Sequence, residues 1–227
     1  MMISYTHKFI FFHVAKVAGL SIREALIPYT REPDRFRIRR PPETLDGEPN
    51  PLYEMWKIKL LHAKAGDAIK EFSAGIYDSF YKFAFIRNPW DWQISMYHFI
   101  LKETAHVSHQ IVSSMADFEE YLEWVVSTKN PFARGATKFQ KDMLTDSSGN
   151  IIVDFIGRYE SLKQDFDHIC QILNLKAALP QLNKTVHRDY RFYYNERTKR
   201  IVEEHFKDDI DLFGYTFDSP SDKSAII

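Results

Sequence analysis

Apolar positions along the 227-residue chain fall into two kinds of pattern, short continuous runs and longer stretches at helical spacing, and the two alternate. Lys8 to His13 is a continuous β-rich run. Ala18-Gly19 interrupts it, and Ser21 to Ile27 then sets Ile22, Ala25 and Leu26 on one helical face, predicting strand, tight loop and helix. Tyr81 to Ile86 predicts a second buried strand ending at Arg87-Asn88-Pro89. Asn88 suits a helix N-cap and Pro89 the first helical position, and Trp92, Met96, Phe99 and Ile100 recur behind them at helical spacing. Residues 63–72 and 117–127 are helix-prone. The turn from Asp146 to Asn150 leads into a third expected strand, Ile151 to Ile156, with Leu162 to Leu173 as its helix. Asn195 is placed to cap a last helix carrying Val202, Phe206, Ile210 and Phe213, which Gly214 ends. Strands alternating with helices imply an α/β fold, three layers with a mostly parallel central sheet, whose ligand sits at the carboxyl ends of the strands.

Two stretches interrupt this order. Residues 28–51 carry Pro28, Pro33, Pro41, Pro42, Pro49 and Pro51 together with Arg31, Arg35, Arg37, Arg39 and Arg40, which predicts an irregular surface excursion. Its arginines are either a solvated loop or the mouth for an anionic acceptor. Lys176 to Tyr194 reads as a basic, tyrosine-rich linker, and residues near 218–227 as a flexible tail. Length and an apolar share of 44% are those of one domain over 1–227.

A formal net charge of −1 supplies no global field for nucleic acid or an anionic membrane, so any anionic ligand must be held locally. Cys170 is the single cysteine, which excludes an internal disulfide and fits a reducing compartment. Flanked by Phe166, Ile169 and Leu173, it reads as a buried small residue. No apolar stretch is long enough to span a bilayer, and the run from Phe9 to Val14 is too short for a signal peptide, so a cytoplasmic placement is expected.

Candidate chemistry gathers at the two strand-to-helix turns. A loop entering a helix N-terminus presents unpaired N–H groups at the positive end of the helix dipole, a receptor for phosphate or sulfate. In residues 16–21, Lys16 adds a movable positive charge, Gly19 permits close backbone approach, and Ser21 supplies a hydroxyl; Val17, Ala18 and Leu20 contribute backbone donors. The nucleotide-hydrolysing pattern G-x-x-x-x-G-K-[ST] is not matched, because its first Gly and its Gly-Lys-Ser/Thr ending are both missing, and this disfavours ATP or GTP hydrolysis. At the second turn, the Arg87 fork and the Ser95 hydroxyl, one turn into the helix and leaning back toward its start, form a receptor for a separate phosphate. Two anion sites imply a ligand phosphorylated at two places.

These segments resemble a family of carbohydrate sulfotransferases that includes heparan sulfate 2-O-sulfotransferase and many short bacterial members. His13 to Ser21 is similar to the family's 5'-phosphosulfate loop, H-x-P-K-T-A-G-T-S, at His13, Lys16, Ala18, Gly19 and Ser21. Phe83 to Tyr97 resembles its 3'-phosphate motif, F-x-F-V-R-N-P-W-D-R-x-x-S-x-Y, at nearly every position. Val153 to Glu160, Leu182-Asn183-Lys184 and Asp209 to Tyr215 also look familial. Ala15 stands where the family usually has proline, Val17 and Leu20 where it has threonine, and Trp92 where arginine is common.

The resemblance implies a P-loop-like sulfotransferase fold and 3'-phosphoadenosine 5'-phosphosulfate (PAPS) as donor, with its 5'-phosphate in the 16–21 loop and its 3'-phosphate on Arg87 and Ser95. It implies a hydroxyl acceptor, expected to be a carbohydrate. No metal is expected, since a sulfuryl group carries less charge than a phosphoryl group; His106 and His109 read as a solvated polar turn. Lys16 is the candidate for the charge building on the leaving oxygen. His62, in the context His62-Ala-Lys-Ala65, is the candidate base for the acceptor hydroxyl, or else a helix-start histidine held for packing. His13 reads as structural. Arg158 and Glu160 are a possible buried pair, and Lys184 and Arg188 possible ligands of donor or acceptor. Because the loop lacks two hydroxyls, a non-catalytic binder of the same nucleotide, or of a sulfated glycan, is the alternative reading.

Overall fold

The computed structural model describes residues 1–30, 44, 45, 47–49, 62–72, 74–132, 136–180 and 188–219. Its main sheet has the order β1 (Met2–Ser4), β2 (Phe9–Phe12), β5 (Tyr81–Ile86) and β6 (Phe155–Arg158). β2 and β5 pair parallel with Phe11 opposite Phe83, and β5 and β6 pair parallel with Phe83 opposite Phe155. Parallel neighbours need long crossovers, and helices supply them. β1 adds an antiparallel edge, Ile3 opposite Ile10, which the sequence pattern did not reveal because three residues are too few to show alternation.

The continuous apolar runs are central strands, as expected: Phe9 to Phe12 and Phe83 to Phe85 are fully buried. Burial of each such phenylalanine is worth about 1.5–3 kcal/mol, so these two strands dominate the core. Gly157 lets β6 lie against them, for a Cβ there would come within 2.5 Å of the Phe85 ring. Helices Gly19–Leu26, Ala65–Glu71, Pro89–Lys102, Phe118–Ser127 and Leu162–Ile172 fall within a few residues of their expected spans. Short helices at Ala74–Ser79 and His109–Ser113 were not foreseen.

Three expectations are corrected. The third strand is not Ile151 to Ile156 but Phe155–Arg158: Ile151 makes a single antiparallel bridge to Thr145, and pairing with β5 is led by Asp154, whose carboxylate accepts from Lys82 N at 2.7 Å and meets Lys82 Nζ at 2.8 Å. The last helix is two, Glu196–His205 and Lys207–Phe213, broken at Phe206, whose ring is buried at the bend. Asn195 does cap it, in a reciprocal capping box with Thr198, and Gly214 ends it in left-handed conformation (φ 64°). The expected excursion at 28–51 contains a small two-stranded ribbon, β3 (Thr44–Leu45) with β4 (Glu48–Pro49), turning at Gly47. Arg31, Arg35, Arg37, Arg39, Arg40 and Lys184, and residues 220–227 of the expected tail, lie outside the described residues.

Cys170 is buried, and burial raises its thiol pKa. Among the described residues no helix is long and apolar enough to cross a membrane.

Candidate active site

Both expected strand-to-helix turns open at the carboxyl ends of β2 and β5, which are adjacent in the sheet. Between β2 and the Gly19–Leu26 helix the chain makes two left-handed steps, at Lys16 (φ 64°) and Ala18 (φ 59°). Neither is glycine, so each costs on the order of 1 kcal/mol, a strain of the kind that collects at ligand sites. Alternation of hand directs successive N–H groups to one side, an arrangement that binds anions. Among the described residues, the N–H groups of Ala18, Gly19, Leu20 and Ser21 have no hydrogen-bond acceptor, and no side chain caps the helix.

Beside the close backbone approach expected of it, glycine at position 19 has a packing cause. Its φ is not positive, and the His13 imidazole fills the place of its side chain, so that a Cβ would lie 1.9 Å from that ring. His13 is buried between Gly19, Phe11 (ring centroids 6.1 Å apart) and His62 (4.9 Å). It thus packs the loop. Val17, one of the departures from the family pattern, is fully buried, so its side chain anchors the loop in the core, while Leu20 at the helix start is 44% exposed.

The second turn is bolted to the first through the loop's carbonyls. Arg87 Nη1 donates to Lys16 O at 3.2 Å, and Trp92 Nε1 donates to Ala15 O at 2.8 Å. Trp92, standing where arginine is common in the resembled family, therefore serves as a loop anchor, with Phe132 edge-on against it at 5.3 Å. Arg87 Nε donates to Asp91 at 2.7 Å, and the guanidinium lies 4.0 Å over the Tyr159 ring. Burial works against its charge, but Asp91, Tyr159 and Glu160 more than offset this and its pKa is raised. Among the described residues Nη2 has no hydrogen-bond partner, leaving one edge of the fork for a ligand. Asn88 caps the Pro89–Lys102 helix by accepting from Trp90 N at 3.0 Å, and Ser95 is buried within that helix.

Lys16 Nζ lies 4.1 Å over the Phe99 ring. Burial, then the charges of Arg87 and Lys102, lower its pKa to about 8. The site thus holds excess positive charge, which an anion would relieve. His62 joins from the other side: its Nδ1 lies 2.8 Å from His13 O. A carbonyl only accepts, so Nδ1 carries the proton and Nε2 the lone pair. Burial lowers the His62 pKa to about 4, although the bond to His13 O opposes this, and the ring is neutral at pH 7.

The structure therefore brings Lys16 to Ser21, Arg87 and His62 around one loop. It does not join Arg158 and Glu160 as an ion pair. Glu160 accepts from Asn88 N (2.6 Å) and Tyr215 OH (2.9 Å), whereas Arg158 donates to Phe213 O and lies over the Tyr215 ring at 4.5 Å. Arg188 is exposed. His109 Nδ1 bonds Ile100 O and His106 Nδ1 accepts from Ser108 N, both as local turn contacts. Among the described residues no three His, Cys, Asp or Glu side chains are grouped to hold a metal ion. Asp91, Tyr159, Phe99, Lys102 and Gln140 complete the site and were not foreseen as parts of it. Only Asp91 left a signal, four residues after Arg87 at ion-pair spacing.

The sequence model described as the sulfotransferase family matches residues 1–216, and the chain belongs to that family. No curated protein matches the sequence. Among solved structures, mouse sulfotransferase SULT7A1 complexed with PAP is similar at a TM-score of 0.52 and 13% identity, over 95% of this chain and 91% of that one, a likeness of fold.

Proposed function

We propose that this member of the sulfotransferase family moves a sulfuryl group from PAPS to a hydroxyl, on a carbohydrate acceptor, and that residues 1–227 act as one catalytic domain. The observation that carries this reading is the bond from Arg87 to the Lys16 carbonyl. It makes one rigid unit of two anion receptors, the open N–H groups of Ala18 to Ser21 and the free edge of the Arg87 fork. A nucleotide with phosphates at its 3' and 5' positions has the matching chemistry. The solved sulfotransferase of similar fold was complexed with PAP, which supports the same donor class here.

In this reading the 16–21 loop holds the 5'-phosphosulfate, and Arg87 with Ser95 holds the 3'-phosphate. The acceptor oxygen forms a bond to sulfur as the bond from sulfur to the 5'-phosphate oxygen breaks in line, leaving adenosine 3',5'-bisphosphate (PAP). His62 Nε2 takes the acceptor's proton, its ring being held by the bond from Nδ1–H to His13 O. Lys16 swings from Phe99 to neutralise the departing oxygen. Every charge needed is supplied by side chains and backbone dipoles, so transfer is expected to proceed without a metal, from donor free in the cytoplasm.

Saturating PAP should raise the melting temperature, and labelled donor should pass its sulfate to a glycan hydroxyl in the presence of a chelator. No thermal shift would sink the donor assignment. A shift without transfer to any acceptor would make the chain a nucleotide-binding protein only.

A further inference from the structure

We propose that Gln140 and Asp209 are positioning residues for Arg87, setting where its guanidinium stands to meet the 3'-phosphate of the donor; the inference rests on the donor reading above. Sheet pairing stops at Ile86, opposite Arg158, so the peptide groups of Arg87 lie past the end of the ladder. Buried, they need partners elsewhere. One carboxamide satisfies both: Gln140 Oε1 accepts from Arg87 N at 2.9 Å, and Gln140 Nε2 donates to Arg87 O at 2.7 Å. At Arg87 the side chain takes the place of a neighbouring strand just past the end of the ladder.

Gln140 is held in turn. The Asp209 carboxylate accepts from Gln140 N and from Lys141 N, each at 2.8 Å, and Asp209 and Gln140 are 1% and 3% exposed. The next peptide along is fixed from the same direction. Asn88 N donates to Glu160, which Tyr215 OH holds, and Asn88 Nδ2 donates to Thr216 O at 3.0 Å. Residues 209–216 thus frame both Arg87 and Asn88 from a segment more than a hundred positions away in the chain. On the side-chain end the guanidinium is held, among the described residues, by Asp91, Lys16 O and the face of Tyr159, and the point from which the side chain starts is the backbone that Gln140 fixes.

The experiment is calorimetric titration of PAP and of adenosine 5'-monophosphate, which lacks only the 3'-phosphate, into wild type, Arg87→Lys, Gln140→Ala and Gln140→Glu. Gln140→Ala should raise the Kd for PAP about tenfold and leave that for the monophosphate within about twofold. Gln140→Glu keeps the shape and the acceptor for Arg87 N–H but repels Arg87 O. It should show the same selective loss, and it decides the matter if the alanine variant does not fold. Unchanged PAP affinity, or equal losses for both nucleotides, would overturn the inference, the second result marking a merely structural role. If Arg87→Lys keeps the wild-type preference for PAP, the donor reading falls and the inference with it. If Arg87→Lys loses that preference while folded Gln140 variants keep it, the inference alone falls.

Discussion

The His13 imidazole occupies the space that a side chain at position 19 would need, so these two residues shape the loop between β2 and the first helix as a pair. His13 is locked between Phe11, His62 and Gly19, and it has little room to retreat. Gly19→Ala is expected to cost about 1–3 kcal/mol by overpacking and to displace the N–H groups of the first helical turn. In a His13→Ala background the same change should cost less. Urea unfolding of the four proteins of this cycle measures the difference, and an equal cost in both backgrounds would rule out the contact as the cause.

Lys16 titrates within reach of neutral pH because burial, Arg87 and Lys102 all disfavour its charge. Since the charged form is the useful one, kcat/KM should fall as pH rises through about 8. Lys102→Ala removes one of the opposing charges and should move that alkaline limb upward. Lys16→Ala should lower turnover by about a hundredfold to a thousandfold. A pH profile without a limb in that region in wild type would detach Lys16 from the rate.

For His62 the expected signature is loss of transfer without loss of donor binding. His62→Ala should reduce turnover by about 10²–10⁴-fold while PAP still raises the melting temperature. The same residue bears on acid stability. Its pKa in the folded chain is lowered from 6.5 to about 4, so the fold favours the neutral ring. That contribution is complete above pH 6.5 and is lost as pH falls toward 4. Wild type should therefore lose stability across this window more steeply than His62→Ala; parallel melting curves would refute it.

Trp92→Phe keeps the ring packed on Phe132 but removes the N–H that holds Ala15 O. The expected cost is about 1–3 kcal/mol in stability, with weaker PAP binding because the loop loses the bond that holds its Ala15 carbonyl. Thermal melts and titration of PAP measure the two effects, and a variant unchanged in both would show that the bond carries nothing.

Much of this site can be read along the chain because its parts are local. The alternation of apolar runs and helical spacing, the Asn88-Pro89 helix start, the Asn195 cap and the Gly214 stop each follow from forces acting within a few residues: burial of one face, satisfaction of orphan N–H groups, and the left-handed tolerance of glycine. Residue types and spacing at Lys16–Ser21 and Arg87–Ser95 likewise mark two candidate anion receptors, and it is the resemblance of His13–Ser21 and Phe83–Tyr97 to known motifs that points to the family. Where local rules mislead, a distant partner is responsible. Ile151 to Val153 scores as strand, yet the ladder to β5 begins only after Asp154 has met Lys82. The helix after Asn195 scores as continuous, yet it breaks at Phe206, and the second segment carries Asp209 to Gln140.

Spacing cannot show that Trp92 and Arg87 hold the carbonyls of Ala15 and Lys16, that His13 fills the side-chain space at Gly19, or that Gln140 stands in for a strand beside Arg87. Each of these is a hydrogen bond or a close contact between segments tens of residues apart, and its partner is chosen by the order in which the strands lie in the sheet. The residue types of the two proposed anion receptors are written in the chain; that both turns meet at one place follows from β2 and β5 lying side by side.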